Sequence, residues 1–395
     1  MTAGRAKTAG RAATAGPVMI YVQHLLGIGH FKRAALLARA LDEAGFEVDL
    51  VSGGLPVDGP APGRVRVHQL PALRAADLSF SALVTADGRP LDEVGKAARR
   101  TALLDLFAAR APAALIVETY PFGRRMMRFE LDPLLAAAAA RPDRPLVVAS
   151  IRDVLQARRP DRVAESAGLI ETHFDAVLVH GDPDLIPLES SFPAMARIGD
   201  KVFYTGYMAD LAASPAAATA ATGEVIVSAG GGAVGGALFE AALAARPLSA
   251  LRDAPWRLLA GHNMAAADFD ALRVRAPDGV IVERARRDFP TLLAGAALSV
   301  SQAGYNTVID LLLAGTPAVL VPFAGDGETE QPDRAAVLAA RGWAESVAED
   351  TLTPATLAAA IDRAVGAGRR PPTAIDMTGM ATSARLLTEW LEARQ

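Results

Sequence analysis

The hydrophobic pattern of this chain switches repeatedly between two periods. Short apolar runs rich in β-branched residues, VMIYVQ (18–23), FEVDLVS (46–52), ALIVET (114–119), LVVASI (146–151), AVLVHG (176–181) and VFYTG (202–206), alternate with stretches of helical spacing. The first such stretch, HFKRAALLARALDEAG, ends at Gly45, a residue suited to stop a helix. Strands that are apolar throughout are covered on both faces, so the pattern predicts a parallel sheet between helical layers. Over residues 208–223 the rhythm lapses into MADLAASPAAATAATG, poor in large apolar residues, and a linker is expected there. It restarts with EVIVSAGGG, a helix from about Ala237, WRLLAG, GVIVE, LSVSQAG, a helix through Leu313, AVLVPF and a helix over Glu330–Arg341.

The expected fold is therefore α/β, with two tandem Rossmann-like, doubly wound parallel-sheet domains and a ligand-binding interdomain cleft. The expected boundaries are a disordered tail or misplaced start at 1–16, an N-terminal domain at 17–207, the linker at 208–223 and a C-terminal domain at 224–370. A helix within 371–395 is expected to pack back toward the N-terminal domain. The opening MTAGRAKTAGRAATAG is basic and repeats TAG, but lacks the apolar core of a secretory signal.

Composition narrows the function classes. With 51% hydrophobic and only 5% aromatic residues, the cores are aliphatic. Forty basic against 44 acidic residues give a net charge of −4, without the basic footprint of a nucleic-acid binder. The absence of cysteine removes disulfides, thiolate metal sites and a cysteine nucleophile together. No apolar run approaches the roughly 18 residues of a membrane span, and the six histidines lack metal-ligand spacing, so neither a metal nor a cofactor is expected.

Candidate chemistry gathers at three glycine-bearing turns, each between a strand and a helix, where free backbone N–H groups favour an anion. The first holds Gly27, Gly29 and His30, followed by Arg33; His30 is a candidate general base. Alternatively, it is a plain turn with a capping histidine. The second follows Ser228 and packs Gly230, Gly231, Gly232, Gly235 and Gly236 into seven residues, more than a turn needs and suited to a backbone clasping phosphate. The third is SQAGYNTVIDLLLAGTPAVLVPF. Here Asn306 and Thr307 are placed to cap the helix or donate to phosphate, and Asp310 to reach a diol such as ribose. Beyond it, FAGDGETEQ ends in Glu330 and Gln331, a polar loop suited to reading sugar hydroxyls and equally to facing solvent.

The third turn carries a resemblance. Ser301, Gly304, Thr307, Asp310, Gly315, Pro317 and Pro322 stand in the pattern S-x-x-G-x-x-T-x-x-[ED]-x-x-x-x-G-x-P-x-x-x-[VI]-P, and the chain thereby resembles the MurG-like group of GT-B glycosyltransferases, with a family 28-type C-terminal domain. The match is good over about 225–365 and moderate over 18–45. It implies that Asp310 binds the nucleotide ribose and the Ser301, Gly304 and Thr307 turn the diphosphate. It also implies that Glu330 and Gln331 contact the donor sugar, and that Gly27, Gly29, His30 and Arg33 lie on the acceptor side.

Three departures stand out. LLGIGH replaces the group's doubled-glycine GGTGGH, GIGHFKR also resembles the GxGHxxR of a UDP-sugar hydrolase with the same fold, and Asp310 replaces the usual glutamate. The resulting expectation is a bacterial, cytoplasmic, inverting and metal-independent hexosyltransferase. It would use a nucleoside-diphosphate sugar, UDP-linked by resemblance, and an acceptor that is either lipid-linked or a small molecule. Peripheral contact with the inner membrane face is compatible with that expectation. The alternatives are a hydrolase or epimerase of the same fold, or a catalytically silent nucleotide-sugar binder.

Two further signals read as structural. Asp182 and Asp184 flank a proline after a strand, as in a capped turn. Arg124, Arg125 and Arg128 alternate with Met126, Met127 and Phe129, as on a helix with a basic face, although an anionic acceptor or lipid head group would also suit them.

Overall fold

Every residue of Val18–Val22 (β1) is buried, as a central strand covered on both faces requires. The computed structural model describes residues 16–57, 63–77, 82–211, 221–230, 235–370 and 375–395. Gly231, Gly232, residues 1–15 and most of the expected linker lie outside that set. Two compact units divide the chain: residues up to Ala209 together with Asp376–Gln395, and residues Asp210–Ile375.

In the first unit, β1 continues into helix α1 (Gly29–Glu43) and strands β2 (Val48–Ser52) and β3 (Arg66–Gln69). A small antiparallel hairpin, β4 (Leu73–Ala75) and β5 (Leu83–Thr85), follows, then α2 (Glu93–Arg110) and β6 (Ala114–Glu118). The unit continues with α3 (Arg128–Ala140), β7 (Leu146–Arg152), α4 (Pro160–His173), β8 (Ala176–His180), the short α5 (Met195–Ile198) and β9 (Val202–Tyr204). All seven strands of the main sheet pair in parallel, in the order β3-β2-β1-β6-β7-β8-β9. Strand order reverses between β1 and β6, so their carboxyl ends flank a crevice of the kind where open α/β sheets bind ligands.

One face of this sheet packs Leu103, Leu131 and Ile170 from α2, α3 and α4, and the other packs Leu37 and Leu41 from α1. The second face is completed from the far end of the chain. The last helix of the unit, Gly379–Glu392, buries Leu386, Leu387 and Leu391 beside α1, and Trp390 stacks edge-on to Phe203 at 4.9 Å.

The second unit has strands β10 (Val225–Ser228), β11 (Trp256–Ala260), β12 (Val280–Arg284), β13 (Leu298–Ser301), β14 (Ala318–Leu320) and β15 (Glu345–Ser346). They form a parallel sheet in the order β12-β11-β10-β13-β14-β15, reversing between β10 and β13. Its helices are α6 (Gly236–Ala245), α7 (Ala266–Arg275), α8 (Phe289–Gly295), α9 (Tyr305–Ala314), α10 (Glu330–Ala340) and α11 (Pro354–Ala367). The run AVLVPF yields only a three-residue strand, because Pro322 lacks the N–H that would extend the ladder.

Candidate functional site

The first unit brings its chemistry to the reversal point between β1 and β6. Helix α1 starts at Gly29 after Ile28, with no side chain capping it, so His30 sits in a turn whose backbone N–H groups carry partial positive charge. Across the crevice, β6 ends in Glu118, a carboxylate only 2% exposed. His30 Nδ1 lies 3.0 Å from Glu118 Oε1 and 3.1 Å from Thr119 Oγ1. Thr119 donates its own proton to Glu118 Oε1 at 3.0 Å, so Glu118 and Thr119 both accept from an Nδ1–H, while Arg33 Nη2, 3.4 Å from the same nitrogen, directs its hydrogen to the nearer Glu118. Nε2, the other ring nitrogen, has no hydrogen-bond partner among the described residues and keeps its lone pair.

Burial, followed by the positive charges of Arg124, Arg152 and Arg33 and by His24, holds the His30 pKa well below its ordinary value. The imidazole is therefore neutral at physiological pH, the state a general base requires. Arg33 stands one turn along α1 from His30. Its side chain is 1% exposed and pairs with Glu118, because three residues along α1 from His30 the helix face points into the unit. Buried charge needs such a partner. Gly27 has open space where a Cβ would stand, so packing does not dictate its glycine.

Glu118, Thr119 and Ser150, whose hydroxyl donates to Glu118 Oε2 at 2.7 Å, were not singled out from sequence. The available signal was a lone carboxylate ending the apolar run ALIVE at the carboxyl end of a parallel strand.

In the second unit the two remaining turns leave adjacent strands at the same level, since Ser228 and Ser301 are register partners. The N–H of Gly230, at φ +69°, donates to the Ser228 hydroxyl oxygen (3.2 Å), and Gly235, at φ +132°, stands against Ala229. Gly304 precedes α9 with an ordinary extended backbone (φ −66°, ψ 147°) and open space around a built Cβ. The fold does not require glycine there. Ser301 is fully buried, and its hydroxyl has no hydrogen-bond partner among the described residues. Asn306, Thr307 and Asp310 are half-buried and share one face of α9 through their spacing of three and four.

Glu330 is buried at the start of α10, and Gln331 uses its side-chain oxygen to accept from the Phe323 N–H at 3.2 Å, pinning the preceding loop. Arg334, one turn further and missed from sequence, is 1% exposed and donates to the Ala303 carbonyl at 2.9 Å, fixing the third turn from beneath.

The Asp182–Asp184 segment is a capped turn: the Asp184 N–H donates to Asp182 Oδ1 at 2.9 Å, and the Asp376 N–H donates to Asp182 Oδ2 at 3.0 Å. Arg125 and Arg128 pair with Glu165 and line a shallow pocket with Arg158 and Arg162, and Arg124 donates to the Gln23 carbonyl at 2.8 Å. Among the described residues, no helix is long and apolar enough to cross a membrane.

Residues 264–386 match the model of the glycosyltransferase family 28 C-terminal domain. A stretch of 109 residues is 35% identical to a UDP-N-acetylglucosamine–N-acetylmuramyl-(pentapeptide) pyrophosphoryl-undecaprenol N-acetylglucosamine transferase of Brucella anthropi, covering 27% of this chain and 29% of that protein. The counterpart of Methylobacterium nodulans is 39% identical over 84 residues, 21% of this chain and 22% of that one. The chain is thus matched over less than a third of these relatives' length. Similar solved folds extend further. The calicheamicin glycosyltransferase CalG4 superposes with a TM-score of 0.60 at 15% identity over 96% of this chain and 98% of that one. MurG of Acinetobacter baumannii gives 0.55 at 17% identity over 96% and 99%. The fold is GT-B, with two Rossmann-like α/β units.

Proposed function

From the premise that this is a MurG-like GT-B chain whose second unit carries a family 28 C-terminal domain, we propose that it transfers a sugar from a nucleoside-diphosphate sugar to a hydroxyl acceptor. The observation that carries the reading is His30, neutral, held at Nδ1 by Glu118 and Thr119, with Nε2 open at a glycine turn. In this reading Nε2 takes the acceptor's hydroxyl proton, the oxygen forms its bond to the anomeric carbon, and the bond from that carbon to the diphosphate oxygen breaks. Attack opposite the leaving group inverts the anomeric centre. Glu118 steadies the imidazolium as it forms, as an acidic partner does for a catalytic histidine.

The second unit is the donor side. Gly304 and the start of α9 offer backbone N–H groups to the diphosphate, Ser301 a buried hydroxyl, and Asp310 an acceptor for the ribose diol, with Gly230 beside them at the neighbouring turn. Glu330 and Gln331, in the first turn of α10 beside the loop that Gln331 pins at Phe323, are assigned to the sugar. UDP is the nucleotide favoured by the relatives' printed names, and those relatives act on a lipid-linked acceptor. Charge on the departing diphosphate would be met by these backbone groups, so turnover is expected to survive a chelator.

The test is a reaction run in ¹⁸O-labelled water with a UDP-sugar and a mixed set of lipid-linked and small hydroxyl acceptors. The expected result is sugar on an acceptor hydroxyl, with inverted configuration and no label. Labelled free sugar in every mixture would instead establish a hydrolase.

A further inference from the structure

Behind the His30–Glu118 pair lies a fully buried histidine that the reaction as proposed does not use. His180 ends β8 and is fully buried. Its Nε2 lies 3.0 Å from Ser150 Oγ, and its Nδ1 lies 2.9 Å from Thr205 Oγ1. Ser150 is the register partner of Glu118 on the neighbouring strand and reaches Glu118 Oε2 at 2.7 Å. Four side chains from successive strands and the segment after β9 therefore touch end to end behind the base.

We infer that His180, Ser150 and Glu118 form a hydrogen-bond chain of fixed direction, and that His180 is a positioning residue for His30. The inference rests on the reading of His30 as the base. Its logic is a count of protons. Ser150 has one, which either goes to Glu118 or to His180. A carboxylate is the stronger acceptor, since bonds to charged groups are about twice as strong as neutral ones. With the Ser150 proton on Glu118, the serine oxygen offers only lone pairs to His180, so His180 must carry its hydrogen on Nε2. Its Nδ1 then turns a lone pair to Thr205, whose single hydroxyl proton also faces the carbonyls of Gly206 at 2.8 Å and Val179 at 3.3 Å, so the direction of the chain is set at Ser150 and not at Thr205.

Burial, followed by the charge of Arg33 and against the pull of Glu118, pushes the His180 pKa down to about 3, so this imidazole has one hydrogen and one lone pair to orient. At the other end, Glu118 Oε1 collects Arg33, Thr119 and the His30 Nδ1–H. With Oε2 tied to Ser150 and Oε1 to these three, the carboxylate cannot turn, and the His30 lone pair stays on Nε2. The two histidines are thereby expected to be opposite tautomers, His30 protonated at Nδ1 and His180 at Nε2.

The chain makes a specific forecast for Glu118→Gln. Three donors sit on the Oε1 side, so the amide oxygen stays there and the amide NH₂ takes the place facing Ser150. Ser150 then accepts, its proton turns to His180 Nε2, and His180 shifts its hydrogen to Nδ1. The experiment is a long-range ¹H–¹⁵N correlation spectrum of the full chain with ¹⁵N-histidine at neutral pH, with signals assigned through His30→Gln and His180→Gln, and melting curves confirming that each variant folds.

The expected result is Nε2–H at His180 in the wild type and Nδ1–H in Glu118→Gln. Ser150→Ala supplies a variant without a charge change, and it should also release His180 from the pure Nε2–H form. An Nδ1–H His180 in the wild type overturns the inference, as does a His180 tautomer indifferent to both substitutions. Predicted tautomers in a protein that transfers no sugar would remove the function of His30 while leaving the chain standing; sugar transfer with an indifferent His180 would do the reverse.

Discussion

A histidine buried in its neutral form ties folding to pH. His30 and His180 both have folded pKa values below the ordinary 6.5, His180 at about 3, so below pH 6.5 the unfolded chain binds protons that the folded chain refuses. Their contribution is fully present above pH 6.5 and is lost progressively as pH falls toward the folded values. Each pH unit of that window costs about 1.4 kcal/mol per histidine. Urea titrations of the first unit's transition at pH 7, 6 and 5 are expected to show this fall, and His180→Gln is expected to flatten it. A midpoint unchanged between pH 7 and 5 would mean that these histidines titrate freely.

At the same scale the sequence carried part of the site. His30 was legible because a glycine turn between strand and helix announces itself locally. Glu118 lies 88 residues away along the chain and meets His30 only because β1 and β6 become neighbours, which local pattern does not encode. The inward direction of Arg33 has the same origin, since it depends on a partner distant along the chain.

Among elements, the glycine turns separate into those the backbone demands and those it does not. Gly235 has φ +132° and packs against Ala229, so Gly235→Ala meets both strain and a clash and is expected to destabilise the second unit by about 1–3 kcal/mol. Gly304 has neither constraint. Gly304→Ala is expected to change unfolding free energy by no more than about 0.5 kcal/mol while weakening UDP binding at least tenfold, because the methyl group would occupy the space of the diphosphate. Urea unfolding and calorimetric titration on one preparation separate these effects; full UDP affinity in Gly304→Ala would remove this turn from the donor site. Strand runs such as VMIYVQ and AVLVHG were readable to within a residue or so because burial on both faces leaves no polar interruption. The edge strand β3, largely exposed with the sequence RVHQ, and the three-residue hairpin strands had too little apolar signal to be found.

For the whole molecule, the first unit is closed by residues from the chain's far end. Leu387 is fully buried beside α1, in the cluster that also holds Leu37 and Leu41. Leu387→Ala is expected to cost about 2–5 kcal/mol and to raise hydrogen exchange in α1, the helix that carries His30. A substitution that left α1 protection intact would show the last helix to be dispensable there. The restart of strand–helix alternation after residue 223 made two α/β units legible. The glycosyltransferase reading came from the spacing of Ser301, Gly304, Thr307 and Asp310, a pattern confined to the second unit.

If His30 is the base in sugar transfer, its loss shows in the rate of UDP release from a UDP-sugar in the presence of acceptor. That rate is to be compared between wild type and His30→Ala, with donor affinity measured on the same samples. Loss of a positioned base removes about 10²- to 10⁴-fold in rate, so a fall of that size is expected with donor affinity nearly unchanged. A His30→Ala protein that is less stable yet releases UDP at the wild-type rate would contradict it.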